Sequence, residues 1–369
     1  MTDESYIKLS IEIAKKGIGK VSPNPLVGCV IIKDERIIGA GYHEKFGGNH
    51  AEVNAINSAR ENLEGAVLYI NLEPCSHYGK TPPCVDKIIE KKFKRVVIGT
   101  LDMNPLVSGA GVKKLKSAGI EVKVGLLEKE CIELNKFFFK YITKKIPYVT
   151  LKAAQTIDGK IADTTGSSKW ISSLASRRRV HSLRAKYDAV LIGAGTVLAD
   201  DPSLTVRLTE GRNPKRVILD SNLDLATDYK IFSNNSDKNL IIVASKKSIN
   251  RKRRVKKLNA LGVKVLFVKE NENGMINLKA TLVELAKNQI ASVLVEGGSE
   301  IYTSFLRENL FDSIVLFISP KFLGPGLPFV IDFGKSTIKN AIKVKIVNVE
   351  TIDEDLYVEL TRKAVITSN

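Results

Sequence analysis

His50-Ala51-Glu52 and, further on, Pro74-Cys75-Ser76-His77-Tyr78-Gly79-Lys80-Thr81-Pro82-Pro83-Cys84 are the strings whose reading decides the fold. One imidazole and two thiolates can hold a tetrahedral zinc with its fourth position open to water. A carboxylate two residues beyond the histidine can then shuttle that water's protons. His50, Cys75 and Cys84 are therefore the candidate zinc ligands, and Glu52 the candidate proton carrier. Of the two remaining cysteines, Cys29 lies in the apolar run Leu26-Val27-Gly28-Cys29-Val30-Ile31-Ile32 and Cys131 on a mixed stretch. Both read as buried residues outside the metal set.

The surrounding pattern is that of an α/β protein. Residues 5–16 suit an amphipathic helix, and 27–32 and 37–41 suit a buried strand and its return. Asn24, in Ser22-Pro23-Asn24-Pro25, reads equally well as a turn residue or as a base-reading amide, and His43 falls at a strand end. A helix over about 50–59, capped by Asn49, would carry His50 and Glu52 in its first turn. Behind the strand at 67–72, Pro74 is placed to start a helical turn. Both Cys75 and Cys84 are thus expected at helix starts, where amide dipoles favour a thiolate. Strands follow at 95–100 and 121–125, with one long helix over 128–141. The polar string Thr143-Lys144-Lys145-Ile146-Pro147 sets a boundary between domains at 1–145 and 146–369, and the second opens a new α/β series with strands from 148–154 onward.

A chain of 369 residues, 44% hydrophobic, accommodates two such domains. Four cysteines are too few for a disulfide scaffold, the first residues are acidic, and no apolar run is long enough to span a bilayer, so a cytoplasmic protein is expected. The net charge of +17 raises nucleic acid as a partner. Against that, the lysines are dispersed and clusters such as Lys91-Lys92-Phe93-Lys94-Arg95 are not interleaved with aromatic residues, which favours solvated faces that steer phosphorylated small molecules.

In the second half, Leu151-Lys152-Ala153-Ala154 opens a strand, and Asp188-Ala189-Val190-Leu191-Ile192-Gly193-Ala194-Gly195-Thr196 runs a strand into a glycine turn without the third glycine of a dinucleotide fingerprint. Asp200-Asp201-Pro202-Ser203-Leu204-Thr205-Val206-Arg207 ends in a cation suited to phosphate. Val293-Leu294-Val295-Glu296-Gly297-Gly298-Ser299-Glu300 repeats the strand, glycine, helix order, either as a sterically required turn or as a cradle for pyrophosphate.

H-x-E followed by P-C and a second cysteine has the order of the zinc-dependent base deaminases. With the long insert between Cys75 and Cys84, and with Gly41-Tyr42-His43, Asp102-Met103-Asn104-Pro105 and the second-half strings, the chain resembles the bifunctional riboflavin-biosynthesis deaminase/reductase family over essentially its whole length. The resemblance implies a cytidine-deaminase-like three-layer α/β domain followed by a dihydrofolate-reductase-like domain. It implies Zn2+ in the first and NADPH in the second, a phosphorylated pyrimidine as substrate, and a homo-oligomer.

By the same resemblance Asn24, His43, Lys80, Thr81, Asp102 and Asn104 surround the pyrimidine ribose phosphate. Ala154, Trp170, Thr196, Asp200, Ser221, Gly297 and Gly298 meet NADPH, and Ser168, Arg184, Leu204, Arg207 and Glu296 meet the second substrate. Arg184 and Arg207 would hold its phosphate together, and Lys152 would be a local acid or orienter. The implied reactions are deamination of 2,5-diamino-6-ribosylamino-4(3H)-pyrimidinone 5′-phosphate and NADPH-dependent reduction of its ribosyl group to ribityl. The alternatives are an RNA-base deaminase or nucleic-acid-binding protein with an accessory domain, and a regulatory module with an inert reductase half.

Overall fold

The computed structural model describes residues 1–77, 82–104 and 107–362, so Lys80 and Thr81 lie outside the described residues. The chain separates into two compact units, Met1–Ile146 and Pro147–Asn369.

The first unit runs α1 (Asp3–Ala14), β1 (Gly28–Lys33), β2 (Arg36–Tyr42), α2 (Ala51–Ser58), β3 (Val67–Leu72), α3 (Cys84–Glu90), β4 (Arg95–Thr100), α4 (Ala110–Ser117), β5 (Glu121–Val124), α5 (Glu128–Leu134) and α6 (Lys136–Lys144). The Thr2 side chain caps α1, and Asp3 and Glu4 complement its positive end. Its sheet has the order β2-β1-β3-β4-β5, antiparallel across β2, β1 and β3 and parallel from β3 to β5. Side chains alternate across β1. Cys29 and Ile31 join Leu68, Ile70, Val96 and Ile98 in one buried cluster with Ala51, Val85 and Leu115, while Val30 and Ile32 join Tyr6, Ile7 and Cys131 in another. Helices thus cover both faces of the sheet, in three layers. Cys29 and Cys131 are fully buried, as expected of core residues.

Three local expectations are corrected. His50 is itself the extended N-cap residue of α2, so Glu52 is in the first turn but His50 is not. Among the described residues no helix starts at Pro74, since Glu73 to Ser76 have no regular structure, and of the two thiols Cys84 alone stands at a helix start. The single helix at 128–141 is broken at Asn135, whose Oδ1 accepts from the Leu26 N–H at 2.7 Å and whose Nδ2 donates to the Leu26 carbonyl at 3.0 Å. These tertiary bonds outweigh the modest cost of ending and restarting a helix.

The second unit runs β6 (Tyr148–Thr156), β7 (Lys160–Ala162), α7 (Leu174–Lys186), β8 (Ala189–Gly193), α8 (Ala194–Asp200), β9 (Lys215–Leu219), α9 (Lys230–Ser233), β10 (Leu240–Ser245), α10 (Lys252–Ala260), β11 (Lys264–Val268), α11 (Leu278–Lys287), β12 (Ser292–Val295), α12 (Ser299–Arg307), β13 (Ser313–Ser319), β14 (Leu327–Pro328), β15 (Val344–Ile352) and β16 (Asp355–Arg362). Its nine-stranded sheet has the order β11-β10-β9-β8-β12-β6-β13-β16-β15. The first seven are mutually parallel, and the β15–β16 hairpin joins antiparallel through β16. The small β7–β14 pair has no counterpart in the sequence reading, since two or three residues are too few to show a period. Loops that leave the carboxyl ends of β8 and β12, which are neighbours, bring the two glycine turns side by side. Among the described residues no helix is long and apolar enough to cross a membrane.

Candidate active sites

His50, Cys75 and Cys84 come together in the first unit. Their ligand atoms lie within 4.8 Å of one another. His50 Nδ1 is 3.5 Å from Cys75 Sγ and 3.3 Å from Cys84 Sγ, against the roughly 3.5 Å that separates nitrogen and sulfur donors at tetrahedral angles on zinc. The donor set therefore fits zinc. The first amide of α3 contributes as well, because the Cys84 N–H donates to Cys75 Sγ at 3.3 Å. Bonding with Cys84, then with His50, holds the Cys75 thiol well below the usual thiol range. Glu52, in the first turn of α2, is 3% exposed, and burial pushes its carboxyl up to about 7.

The histidine behind this cluster has a defined tautomer. His43 is within 2.9 Å of the Asn49 carbonyl through Nδ1, which must therefore carry the hydrogen. Nε2 then accepts from Asn24 Nδ2 at 3.1 Å, and the Asn24 amide oxygen is left to accept from a bound molecule. The His43 and His50 rings meet edge to face, 5.6 Å between centroids.

Across the site, Asp102 and Asn104 leave the end of β4, beside the strand that leads to Cys75. The Asp102 carboxylate accepts from the Asn104 N–H at 2.8 Å. This loop hangs on Glu73, a residue the sequence reading passed over. Its carboxylate accepts four backbone N–H groups, from Asp102 at 3.2 Å, Gly109 at 3.0 Å, Gly111 at 2.9 Å and Val112 at 3.2 Å. Its place immediately before Pro74-Cys75 is the only local signal that could have singled it out. Gly111 is required there, since a Cβ would come 2.4 Å from the Pro74 carbonyl oxygen.

In the second unit a cavity of about 1290 Å³ is lined by every residue expected for the reductase half: Lys152, Ala154, Ser168, Trp170, Arg184, Thr196, Asp200, Leu204, Arg207, Ser221, Glu296, Gly297 and Gly298. Its size suits a dinucleotide together with a second molecule. At the cradle formed by the glycine turns, a Cβ on Gly297 would lie 3.0 Å from Thr196 Oγ1, and Gly298 has a φ of +60° at the start of α12. The chain can approach a pyrophosphate closely there, so the cavity fits NADPH. Trp170 is 69% exposed and stacks under the Arg177 guanidinium, 4.2 Å from the ring centroid. Ser168 Oγ donates to Asp200 at 3.3 Å.

A buried charge network forms one wall. Arg184 meets Glu296 through Nε at 2.7 Å and Nη2 at 2.9 Å, and Lys152 Nζ lies 3.5 Å from the same carboxylate. Burial alone would raise the Glu296 carboxyl, but Arg184 and Lys152 hold it at about 2. Burial lowers Lys152, with Glu296 opposing and Arg184 adding. Arg184 Nη1 donates to the Thr205 carbonyl at 3.2 Å. Arg184, expected to hold a phosphate together with Arg207, is thus anchored within the fold while it lines the cavity beside Arg207. A buried guanidinium needs a counter-charge within the fold, and Glu296 is that partner. Arg207, exposed and bonded through Nη1 to Thr205 Oγ1 at 2.7 Å, keeps donors for a ligand.

Comparison with known proteins covers both units. The family described as the cytidine and deoxycytidylate deaminase zinc-binding region matches residues 1–100, and the RibD C-terminal domain matches 147–358. The riboflavin biosynthesis protein RibD of Aquifex aeolicus is 49% identical over 98% of this chain and 98% of its own length. The Escherichia coli protein of the same name is 38% identical over 88% and 89%. Among solved structures, a diaminohydroxyphosphoribosylaminopyrimidine deaminase/5-amino-6-(5-phosphoribosylamino)uracil reductase from Thermotoga maritima superposes with a TM-score of 0.85, at 45% identity over 98% of this chain and 99% of its own. Acinetobacter baumannii RibD does so with a TM-score of 0.88, at 37% identity over 98% and 99%.

Proposed function

This chain belongs to the RibD family of riboflavin-biosynthesis proteins, and from that premise we propose how its residues divide the work. The protein is a bifunctional riboflavin-biosynthesis enzyme, a deaminase joined to a reductase, with a cytidine-deaminase-like domain preceding a dihydrofolate-reductase-like one. Zn2+ and NADPH fit the two halves, and its substrate is a small pyrimidine.

We assign deamination to residues 1–145 and reduction to 146–369. His50, Cys75 and Cys84 would hold the zinc, which supplies Lewis-acid activation of water near neutral pH. Glu52 takes the proton of the attacking water, passes it to the ring nitrogen and finally assists the departure of ammonia. The buried position of Glu52 beside the three ligands supports this role. The free oxygen of Asn24, oriented by His43, accepts from the amino-pyrimidine, with Asp102 and Asn104 on the opposite side. Lys80 and Thr81, which lie outside the described residues, would meet the phosphate of this substrate, as the family resemblance implies.

The second substrate is the deaminated pyrimidine phosphate, by analogy with the name of the Thermotoga relative. NADPH supplies the hydride. The chain holds the donor against Ala154, Trp170, Thr196, Asp200, Ser221 and the Gly297-Gly298 turn, and the ring-opened ribose beside Ser168, Leu204 and Arg207. Glu296, through Arg184 and Lys152, sets the charge of the wall, and Lys152 orients or protonates the sugar.

We further propose a cytoplasmic homo-oligomer. Four free cysteines suit a reducing compartment, and edge strand β15 leaves the apolar side chains of Ile346, Val347 and Val349 exposed.

The observation that carries the reading is the cluster of His50, Cys75 and Cys84 next to a buried Glu52. Supplying the diamino substrate with and without NADPH, and separating the products, tests it. A deaminated ribosyl product alone without NADPH, and a ribityl product with it, is expected, whereas an inert protein overturns the reading.

A further inference from the structure

His181 has no part in the assignments above, yet one of its ring nitrogens is fixed by the fold. It stands one turn before Arg184 on α7, is 6% exposed, and lines the reductase cavity with Arg184, Leu204 and Arg207. Its Nδ1 lies 2.8 Å from the backbone nitrogen of Arg207. An amide N–H can only donate, so Nδ1 is the bare nitrogen and the neutral ring carries its hydrogen on Nε2. Burial first, then Arg184 and Arg207, push the ring down to about 4, with Glu296 opposing and Lys152 adding, so the neutral form persists through the ordinary working range. Nε2–H has no hydrogen-bond partner among the described residues, and since His181 lines the cavity this donor is available to a molecule that enters it.

The peptide that His181 holds is the one that presents Arg207. Leu204 is buried in the left-handed region with a φ of +52°, Thr205 O accepts from Arg184, and the Val206 N–H donates to Asn213 Oδ1 at 2.8 Å. His181 supplies the next point of attachment. A neutral donor here also adds a hydrogen bond without adding a fourth positive charge to Arg184, Arg207 and Lys152.

We propose that His181 is a further substrate-positioning residue, whose Nδ1 anchors the Arg207 main chain and whose Nε2–H donates to a phosphate oxygen beside the Arg207 guanidinium. The inference deepens the reductase reading and rests on it. Steady-state kinetics at saturating NADPH, with the deaminated pyrimidine ribosyl phosphate and with its dephosphorylated riboside, distinguish the possibilities. His181→Phe should raise KM for the phosphorylated substrate roughly tenfold, leave kcat within about twofold and leave KM for the riboside unchanged. His181→Gln, which sets an amide donor near the Nε2 position, should recover most of that loss. His181→Asn keeps an acceptor for the Arg207 N–H without the donor and should recover only part. Equal KM increases for both substrates, or no increase for either, would overturn the inference while leaving the reductase reading standing. Wild-type protein inert toward both substrates would overturn the two together.

Discussion

Arg184 and Glu296 meet fork to fork, Nε to Oε1 at 2.7 Å and Nη2 to Oε2 at 2.9 Å, with only 12% and 4% of their side chains exposed. Glu296→Ala would leave Arg184 and Lys152 as buried cations without a counter-charge. We expect a loss of about 3–5 kcal/mol of stability, measured as a fall in the urea midpoint of the second unit's unfolding transition. An unchanged midpoint would show that water, not Glu296, solvates these cations.

Removing zinc should separate the two activities. Chelation, or Cys84→Ser, is expected to abolish deamination and lower metal content, while NADPH oxidation with the deaminated substrate continues. Glu52→Gln should keep the metal and lose deamination by a factor of at least about 100, the usual size of a general acid–base contribution. Metal analysis beside both assays checks this pair, and a Glu52→Gln enzyme that still deaminates removes Glu52 from its role.

Gly297 lies close against Thr196, and a Cβ would meet Oγ1 at 3.0 Å and Cγ2 at 3.1 Å, so that the threonine side chain would have to shift toward the cradle. Gly297→Ala should therefore raise KM for NADPH by narrowing the cradle, with little effect on deamination. Titration of NADPH into each protein, followed by fluorescence, measures the difference.

Asp3 ties the start of α1 to the sheet. Burial would raise its carboxyl, but hydrogen bonds from Arg95, Lys123 and Tyr69 bring it down to about 2 from 3.8. A depressed carboxyl pKa contributes stability above the unfolded value that is lost as pH falls through the folded one. Asp3→Asn should lower Tm near neutrality, and its deficit against the wild type should narrow between 3.8 and about 2. Thermal melts across that interval read the convergence directly.

Local spacing made much of this protein legible. The alternation of β1, the H-x-E string and the two cysteines, and the strand-to-glycine turns are short-range patterns, because pleat, helix start and tight turn are set by residues a few positions apart. Even there the assignment of His50 to the first turn of α2 missed by one residue, and the helical turn expected at Pro74 is absent from the described residues 73–76.

What the sequence determined by itself was the class of chemistry: an α/β chain with a zinc-type donor set and, in its second half, a phosphate-binding pattern. Tertiary structure alone decided which charges are spent inside the fold and which face a ligand. Arg184 finds Glu296, Glu73 gathers the amides of the 102–112 segment, Asn135 breaks a helix to reach Leu26, and His181 receives the Arg207 N–H. Each pair is far apart in the chain, and neither partner's composition or spacing encodes the other. Burial makes an unpaired charge or amide costly, so the pairing emerges only when the sheet closes water out.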